Sequence, residues 1–147
     1  MPYIRFTKIW EDSDGMLEIE LSASNDRYAS LASFYTYPDE LQTFAKRLQE
    51  FPASTADQIL FEYGKDDEKY PSYLRIKVIL FDKVGHSAIE IKTSVNGDMR
   101  VTARSSFSLS CNPAEINAIG KKIENWIRVK EEGLYYEWLV ADFNFSP

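Results

Sequence analysis

The side chains best suited to nucleophilic chemistry are those of the single histidine, His86, and the single cysteine, Cys111. A cysteine nucleophile needs a histidine base, and the base needs an orienting carboxylate, for which Glu90 or Asp82 could serve. Cys111 stands just before a predicted helix, whose N-terminus could lower the pKa of the thiol. However, the residues around Cys111 match no known signature of a cysteine nucleophile, and Gly85-His86-Ser87 is typical of a turn. We therefore predict that the chain is not an enzyme.

Metal and cofactor sites are not expected either. Asp12-Ser13-Asp14-Gly15 is similar to the first part of a calcium loop, but the third ligand and the closing glutamate are missing. An acidic hairpin turn explains these residues better. One histidine and one cysteine cannot form a zinc tetrad, and the six glycines make neither a GxGxxG nor a phosphate-binding loop. We predict no catalytic residue, no metal and no cofactor.

The charge of the chain bears on its partners. The 17 basic and 23 acidic residues give a net charge of −6, which opposes the basic surface that nucleic-acid binding needs. The sequence therefore predicts no nucleic-acid partner. Residues 1–70 hold 7 basic and 14 acidic residues, whereas residues 71–147 hold 10 and 9. The acidic half could attract a basic protein partner, or it could serve solubility alone.

Composition also bears on location. Hydrophobic residues are 44% of the chain and charged residues 27%, as in ordinary globular proteins. No apolar run approaches the ~20 residues that cross a bilayer, and the N-terminus lacks the pattern of a signal peptide. A single cysteine suits a reducing compartment. We predict a cytoplasmic protein without membrane contact.

Two segments 75 residues apart share one helical pattern. PDELQTFAKRLQEF at 38–51 and PAEINAIGKKIENW at 113–126 each begin with proline, which suits the first turn of a helix. Asn112 before the second segment is a natural N-cap. Apolar residues at helical spacing give each helix one stripe to bury. These residues are Leu41, Phe44, Leu48 and Phe51 in the first helix and Ile116, Ile119, Ile123 and Trp126 in the second.

The likeness between the halves extends to their strands. Residues 59–63 match residues 134–138 at the same offset, and residues 17–21 match residues 89–93 at an offset of 72. Several strands alternate apolar and polar residues, which predicts antiparallel sheet covered on one face. Asp14-Gly15 and Asn96-Gly97 are hairpin signals between such strands.

The fold class follows from these patterns. The sequence predicts an α+β fold built from a duplicated β-β-β-α-β unit, in which both helices pack on the core side of antiparallel sheet. The strands could form one continuous sheet or two facing sheets. Residues 1–147 would form a single domain of two internal repeats, at about 1–64 and 71–140.

A surface for a partner is predicted in the acidic half. The candidate partner-binding residues are Tyr35, Tyr37, Glu18 and Glu20. The two tyrosines share one face of the strand before the first helix. Tyrosine is favoured at interfaces because its ring is large and its hydroxyl tolerates water. Packing of these tyrosines against neighbouring strands is the alternative.

The chain resembles a group of small, uncharacterised bacterial proteins. The residues that carry this resemblance are Phe34-Tyr35, 38–41 and Phe51-Pro52 in the first half and 85–91 and 116–120 in the second. That group is similar in pattern to the WapI-type immunity proteins over residues 30–126, although their usual Trp-Leu pair reads Arg47-Leu48 here. The resemblance implies a protein that neutralises a toxin by binding it, and it assigns no site residue.

Two functions are compatible with these observations. The first is a non-catalytic binding protein of the immunity type, which neutralises a co-encoded toxin with a basic domain. The alternative is a homo-oligomeric structural or interaction module, in which edge strands such as residues 59–63 pair across a two-fold axis. The protein would be a monomer or a homodimer.

Overall fold

The computed structural model describes residues 2–67, 69–82, 84–98 and 100–128. Within them the chain forms seven strands and two helices. In chain order these are β1 (Tyr3–Glu11), β2 (Leu17–Ser24), β3 (Ala29–Thr36), α1 (Pro38–Glu50), β4 (Gln58–Tyr63), β5 (Ser72–Leu80), β6 (Ser87–Val95), β7 (Ala103–Cys111) and α2 (Pro113–Arg128).

The strands form two antiparallel sheets. The sequence had left open whether there would be one continuous sheet or two. Sheet A has the order β1-β2-β3 and sheet B the order β4-β5-β6-β7. β4 belongs to the first half of the chain but pairs with β5, where Phe61 lies opposite Ile76. The predicted α+β class, with antiparallel sheets and two helices, is confirmed. The strand expected at residues 134–138 lies outside the described residues.

The two predicted hairpin turns differ in form. Asp12 Oδ1 accepts hydrogen bonds from the amides of Asp14 and Met16, and Gly15 has a φ of 93°, which glycine adopts readily. The second connection is longer than a two-residue turn and runs from 96 to 102. There the Asn96 side chain donates to the Tyr70 carbonyl at 2.8 Å, which ties this loop to the start of β5.

The second helix begins where the sequence predicts. The Asn112 side-chain oxygen accepts from the Glu115 amide at 3.0 Å, and Glu115 Oε1 accepts from the Asn112 amide at 3.2 Å. This reciprocal pair is a capping box, which satisfies two amides that the helix itself leaves unpaired. The predicted stripes of α1 and α2 are buried, with Leu48 and Ile123 at their centres.

The two helices pack closely against each other. Gly120 of α2 lies over α1 at Ala45: a Cβ on Gly120 would come within 2.6 Å of the Ala45 carbonyl oxygen. Beside this contact, Gln49 Nε2 donates to Glu124 Oε2 at 2.9 Å. The Asn117 side chain donates to three carbonyls at the end of α1, including that of Phe51 at 2.9 Å. Glycine at 120 permits this close approach because it has no side chain.

One core joins both sheets and both helices. Phe34 of β3 meets Phe61 of β4 edge to face, with ring centroids 5.5 Å apart, so the contact links the two sheets. Phe6 of β1 packs near Trp126 of α2 at 6.1 Å. Neither helix of the described part is long and apolar enough to cross a membrane.

Candidate functional site

The strand register places three of the four predicted partner-binding residues, Glu18, Glu20 and Tyr35, on one face of sheet A. In sheet A, Trp10 lies opposite Glu18, and Glu18 lies opposite Tyr35, so one row of side chains crosses all three strands. Glu20 lies two residues further along β2. Tyr37 follows the end of β3 and precedes α1 as its N-cap residue. We call Trp10, Glu18, Glu20, Tyr35 and Tyr37 the acidic aromatic face.

The aromatic rings of this face are open to solvent. Trp10 is 48% exposed, Tyr35 44% and Tyr37 38%, whereas Phe34 before the first tyrosine and Thr36 between the two are buried. The predicted alternation along β3 is therefore confirmed. Large exposed rings beside charged groups are common where proteins bind each other, since the rings bury much area on contact.

Trp10 was not predicted as a member of this face. Simple alternation after Ile4 and Phe6 would place its ring on the core side. A register shift between Lys8 and Trp10 adds a residue to β1 and turns the indole to the outer surface. The sequence does contain an indication of this shift. Lys8 stands where the alternation of Ile4 and Phe6 would place a third apolar residue.

Tyr37 is held at the edge of the acidic turn. Its hydroxyl donates to Asp14 Oδ2 at 3.3 Å. The negative charge of Asp14 is the main cause that raises the pKa of Tyr37 above its usual value. The phenol therefore stays protonated and can donate a hydrogen bond throughout the neutral range.

Tyr35 has a second role in packing. Its ring lies 6.2 Å from that of Tyr63 in sheet B, at an angle of 56°. Such aromatic pairs stabilise a protein by ~0.5–1.5 kcal/mol. Tyr35 therefore fits both the interface interpretation and the packing interpretation. Its ring contacts a neighbouring strand and is still 44% exposed.

The surroundings of the face are negatively charged. The end of β1 carries Glu11, and the hairpin turn that follows carries Asp12 and Asp14, in addition to the two glutamates of β2. Lys8 lies within 4.0 Å of Glu11 and offsets one of these charges. A surface of this sign attracts basic partners at long range, and salt weakens the attraction.

The geometry around His86 and Cys111 does not favour nucleophilic chemistry. The His86 ring contacts Asp82 and stacks on Phe81 in an exposed turn. Cys111 is buried, and burial raises the pKa of its thiol to about 12. The lowered pKa expected from the nearby helix N-terminus is wrong, because burial raises the pKa of the thiol and the negative charge of Glu115 adds to the rise. A thiol of this pKa supplies almost no thiolate at neutral pH.

The described residues contain no group of three or more metal-ligating side chains. No family model matches the chain, and no curated protein matches it. Among solved structures, WHY3 from Arabidopsis thaliana matches at a TM-score of 0.45 and 12% identity, over 86% of this chain and 78% of that one. The plant transcriptional regulator PBF-2 matches at 0.45 and 11%, over 86% of this chain and 71% of that one. Neither match bears on the resemblance to WapI-type immunity proteins.

One of the predictions about partners needs correction. Nucleic acid was excluded on the net charge of the whole chain, and this exclusion does not hold, because several basic side chains are gathered on one sheet. The net charge is a sum over the whole chain, so it does not show where the basic side chains lie on the surface. Arg75, Lys77 and Lys92 alternate with buried residues along β5 and β6, and Arg104 is exposed on β7, so sheet B carries basic groups although the chain is acidic.

Proposed function

We propose that the protein is a non-catalytic binding protein, and that its acidic aromatic face docks a basic surface of a partner protein. The row of Trp10, Glu18 and Tyr35 carries the proposal. Two exposed rings flank a carboxylate there, so apolar contact and charge complementarity are offered at one place. Interfaces commonly combine central aromatic anchors with a charged rim.

The proposal includes the immunity type of function. The resemblance to WapI-type immunity proteins supports it, because such proteins act by binding a toxin and need no chemistry of their own. The buried thiol with its raised pKa agrees with a role outside catalysis. A cytoplasmic location, where a free cysteine stays reduced, is part of the same proposal.

Capture of co-encoded proteins on the immobilised protein is the experiment that tests the proposal. The wild type is compared with Glu18→Gln/Glu20→Gln and with Trp10→Ala. We expect a partner of basic charge that the wild type retains at low salt and releases at high salt. Each variant should weaken its binding by about 2 kcal/mol or more if the face is the centre of the interface.

Matched controls distinguish the face from the rest of the surface. Glu50→Gln removes an exposed carboxylate at the end of α1, and Leu60→Ala removes an exposed apolar side chain on sheet B. Both should bind as the wild type does. Equal losses in the control and face variants, or an association rate that salt leaves unchanged, would contradict the proposal.

We also propose that the two halves are copies of one duplicated unit. The order of three strands followed by a helix occurs in both halves of the described residues. At the offset of 75, Ala45 corresponds to Gly120 and Gln49 to Glu124, and both of these pairs are in contact. Contacts between equivalent positions are expected where two copies meet about a two-fold axis.

The homo-oligomeric module remains the second candidate. β4 is an edge strand of sheet B, and no described strand pairs with its outer edge. Such an edge can pair with another chain. Light scattering after size exclusion measures the mass over a range of concentrations: a dimer would favour this candidate, and a monomer at high concentration would exclude it.

A further inference from the structure

A cavity of about 310 Å³ opens on sheet B, remote in sequence from the acidic aromatic face. Its walls come from β6, β7 and the segment between β4 and β5. The residues that matter here are Asp66, Lys92, Ser94, Arg104 and Ser106. The volume lies at the lower end of the range for small-molecule sites.

The strand register arranges four of these side chains as a square. Lys92 lies opposite Ser106, and Ser94 lies opposite Arg104. Side chains opposite each other are about 5 Å apart at Cβ, and neighbours along one face of a strand are about 7 Å apart. Two cations therefore occupy one diagonal and two hydroxyls the other.

The charge within the cavity is positive. Lys92 Nζ lies 2.7 Å from Asp66 Oδ2, which balances one of the two cations. Arg104 is exposed and makes no ion pair in the part of the chain that the structure describes. Its guanidinium presents several N–H donors in one plane, a geometry that suits the oxygens of a carboxylate or phosphate.

Ser94 supplies an independent indication of a ligand. Its side chain is only 2% exposed, and its Oγ has no hydrogen-bond partner among the described residues. A buried hydroxyl without a partner destabilises the fold, and such groups are rare in proteins. A ligand oxygen in the cavity would give this hydroxyl an acceptor.

We propose that the cavity binds a phosphate group. Arg104 and Lys92 would supply the charge-assisted hydrogen bonds, and Ser94 and Ser106 would donate from the other diagonal. Phosphate is favoured because its tetrahedral oxygens point in several directions and can meet donors on both diagonals, while its negative charge complements the uncompensated Arg104. The group could come from a small phosphate ester or from a phosphodiester of a nucleic acid. The site does not depend on the function proposed above.

NMR titration of the full chain with inorganic phosphate tests the site, with chloride at equal ionic strength as the control. We expect saturable shifts of amides in β6 and β7 with phosphate only. Arg104→Gln and Lys92→Gln should each weaken binding by about tenfold, the effect of one charge-assisted hydrogen bond. Lys77→Gln, on the same face of the sheet, should bind as the wild type does.

Two further variants give results that a general charge effect would not produce. Asp66→Asn removes the only carboxylate of the five residues and should strengthen phosphate binding by about twofold to fivefold. Ser94→Ala should weaken phosphate binding, yet raise the melting temperature of the free protein because it removes the unpaired hydroxyl. Equal weakening by Lys77→Gln and Arg104→Gln, or identical shifts with chloride and phosphate, would overturn the proposal.

A ten-nucleotide oligothymidylate distinguishes the two sources of phosphate. Tighter binding of the oligonucleotide than of inorganic phosphate, lost in Arg104→Gln, would assign the site to a phosphodiester backbone. Binding no tighter than that of inorganic phosphate would assign it to a small phosphate ester. Oligonucleotide binding that Arg104→Gln leaves unchanged would place nucleic-acid contacts elsewhere and count against the site.

Discussion

Replacing Gly120 by alanine tests the packing of the two helices. The added Cβ would lie 2.6 Å from the Ala45 carbonyl oxygen and 2.8 Å from Leu48 Cβ. The oxygen belongs to the α1 backbone and cannot move without shifting the helix. Overpacking of a core costs about 1–3 kcal/mol, and a contact this short belongs near the upper end. Alanine recovers about 1 kcal/mol of helix propensity, so we expect a net loss near 2 kcal/mol.

The assay for this substitution is thermal and denaturant unfolding. A loss of that size should lower the melting temperature by about 4–8 °C in a chain of this length. Ala118→Gly, on the exposed side of the same helix, is the control and should report helix propensity alone. If Gly120→Ala instead stabilises the protein by the amount that Ala118→Gly loses, the helices do not touch at this position and the reasoning is refuted.

Three more predictions concern the core and one helix end. Leu48→Ala and Ile123→Ala should each destabilise the protein by about 2–5 kcal/mol in urea, and an unchanged midpoint would exclude a core stripe. Asn112→Ala should cost about 1 kcal/mol through loss of the capping box, while Asn112→Ser should retain most of the stability. The Cys111 pKa, raised to about 12, means that the folded protein holds this proton longer than the unfolded chain. Stability should therefore fall as pH rises from about 9 towards 12 and fall less in Cys111→Ser, and iodoacetamide at pH 8 should react only after unfolding.

The local elements could be predicted because their signals lie within short stretches of sequence. The period of the apolar residues placed α1 and α2, and Asn112 with Pro113 marked the start of the second helix. The alternation along β3 separated Phe34 from Tyr35 correctly. Each of these features depends on neighbours within about one turn of helix or one strand.

The features that could not be predicted depend on residues distant in sequence. Nothing in residues 58–63 alone indicates that β4 pairs with β5 of the other half. The pairing depends on which strand lies beside β4 in the fold, and its own residues do not encode that. The exposed position of Trp10 required the register of β1 against β2, including its irregularity. The unpaired hydroxyl of Ser94 is visible only once β6 is buried between its neighbours.

The contact between Ala45 and Gly120 also has a consequence for synthesis of the chain. The two positions are 75 residues apart, so α1 cannot make this contact when it first leaves the ribosome. A nascent chain that ends before residue 113 would carry Ala45 and Leu48 without the helix that packs on them. Exposed stripes of this kind are sites of aggregation and of chaperone binding, and such distant contacts slow folding. The core therefore closes late, after nearly the whole described chain has been made.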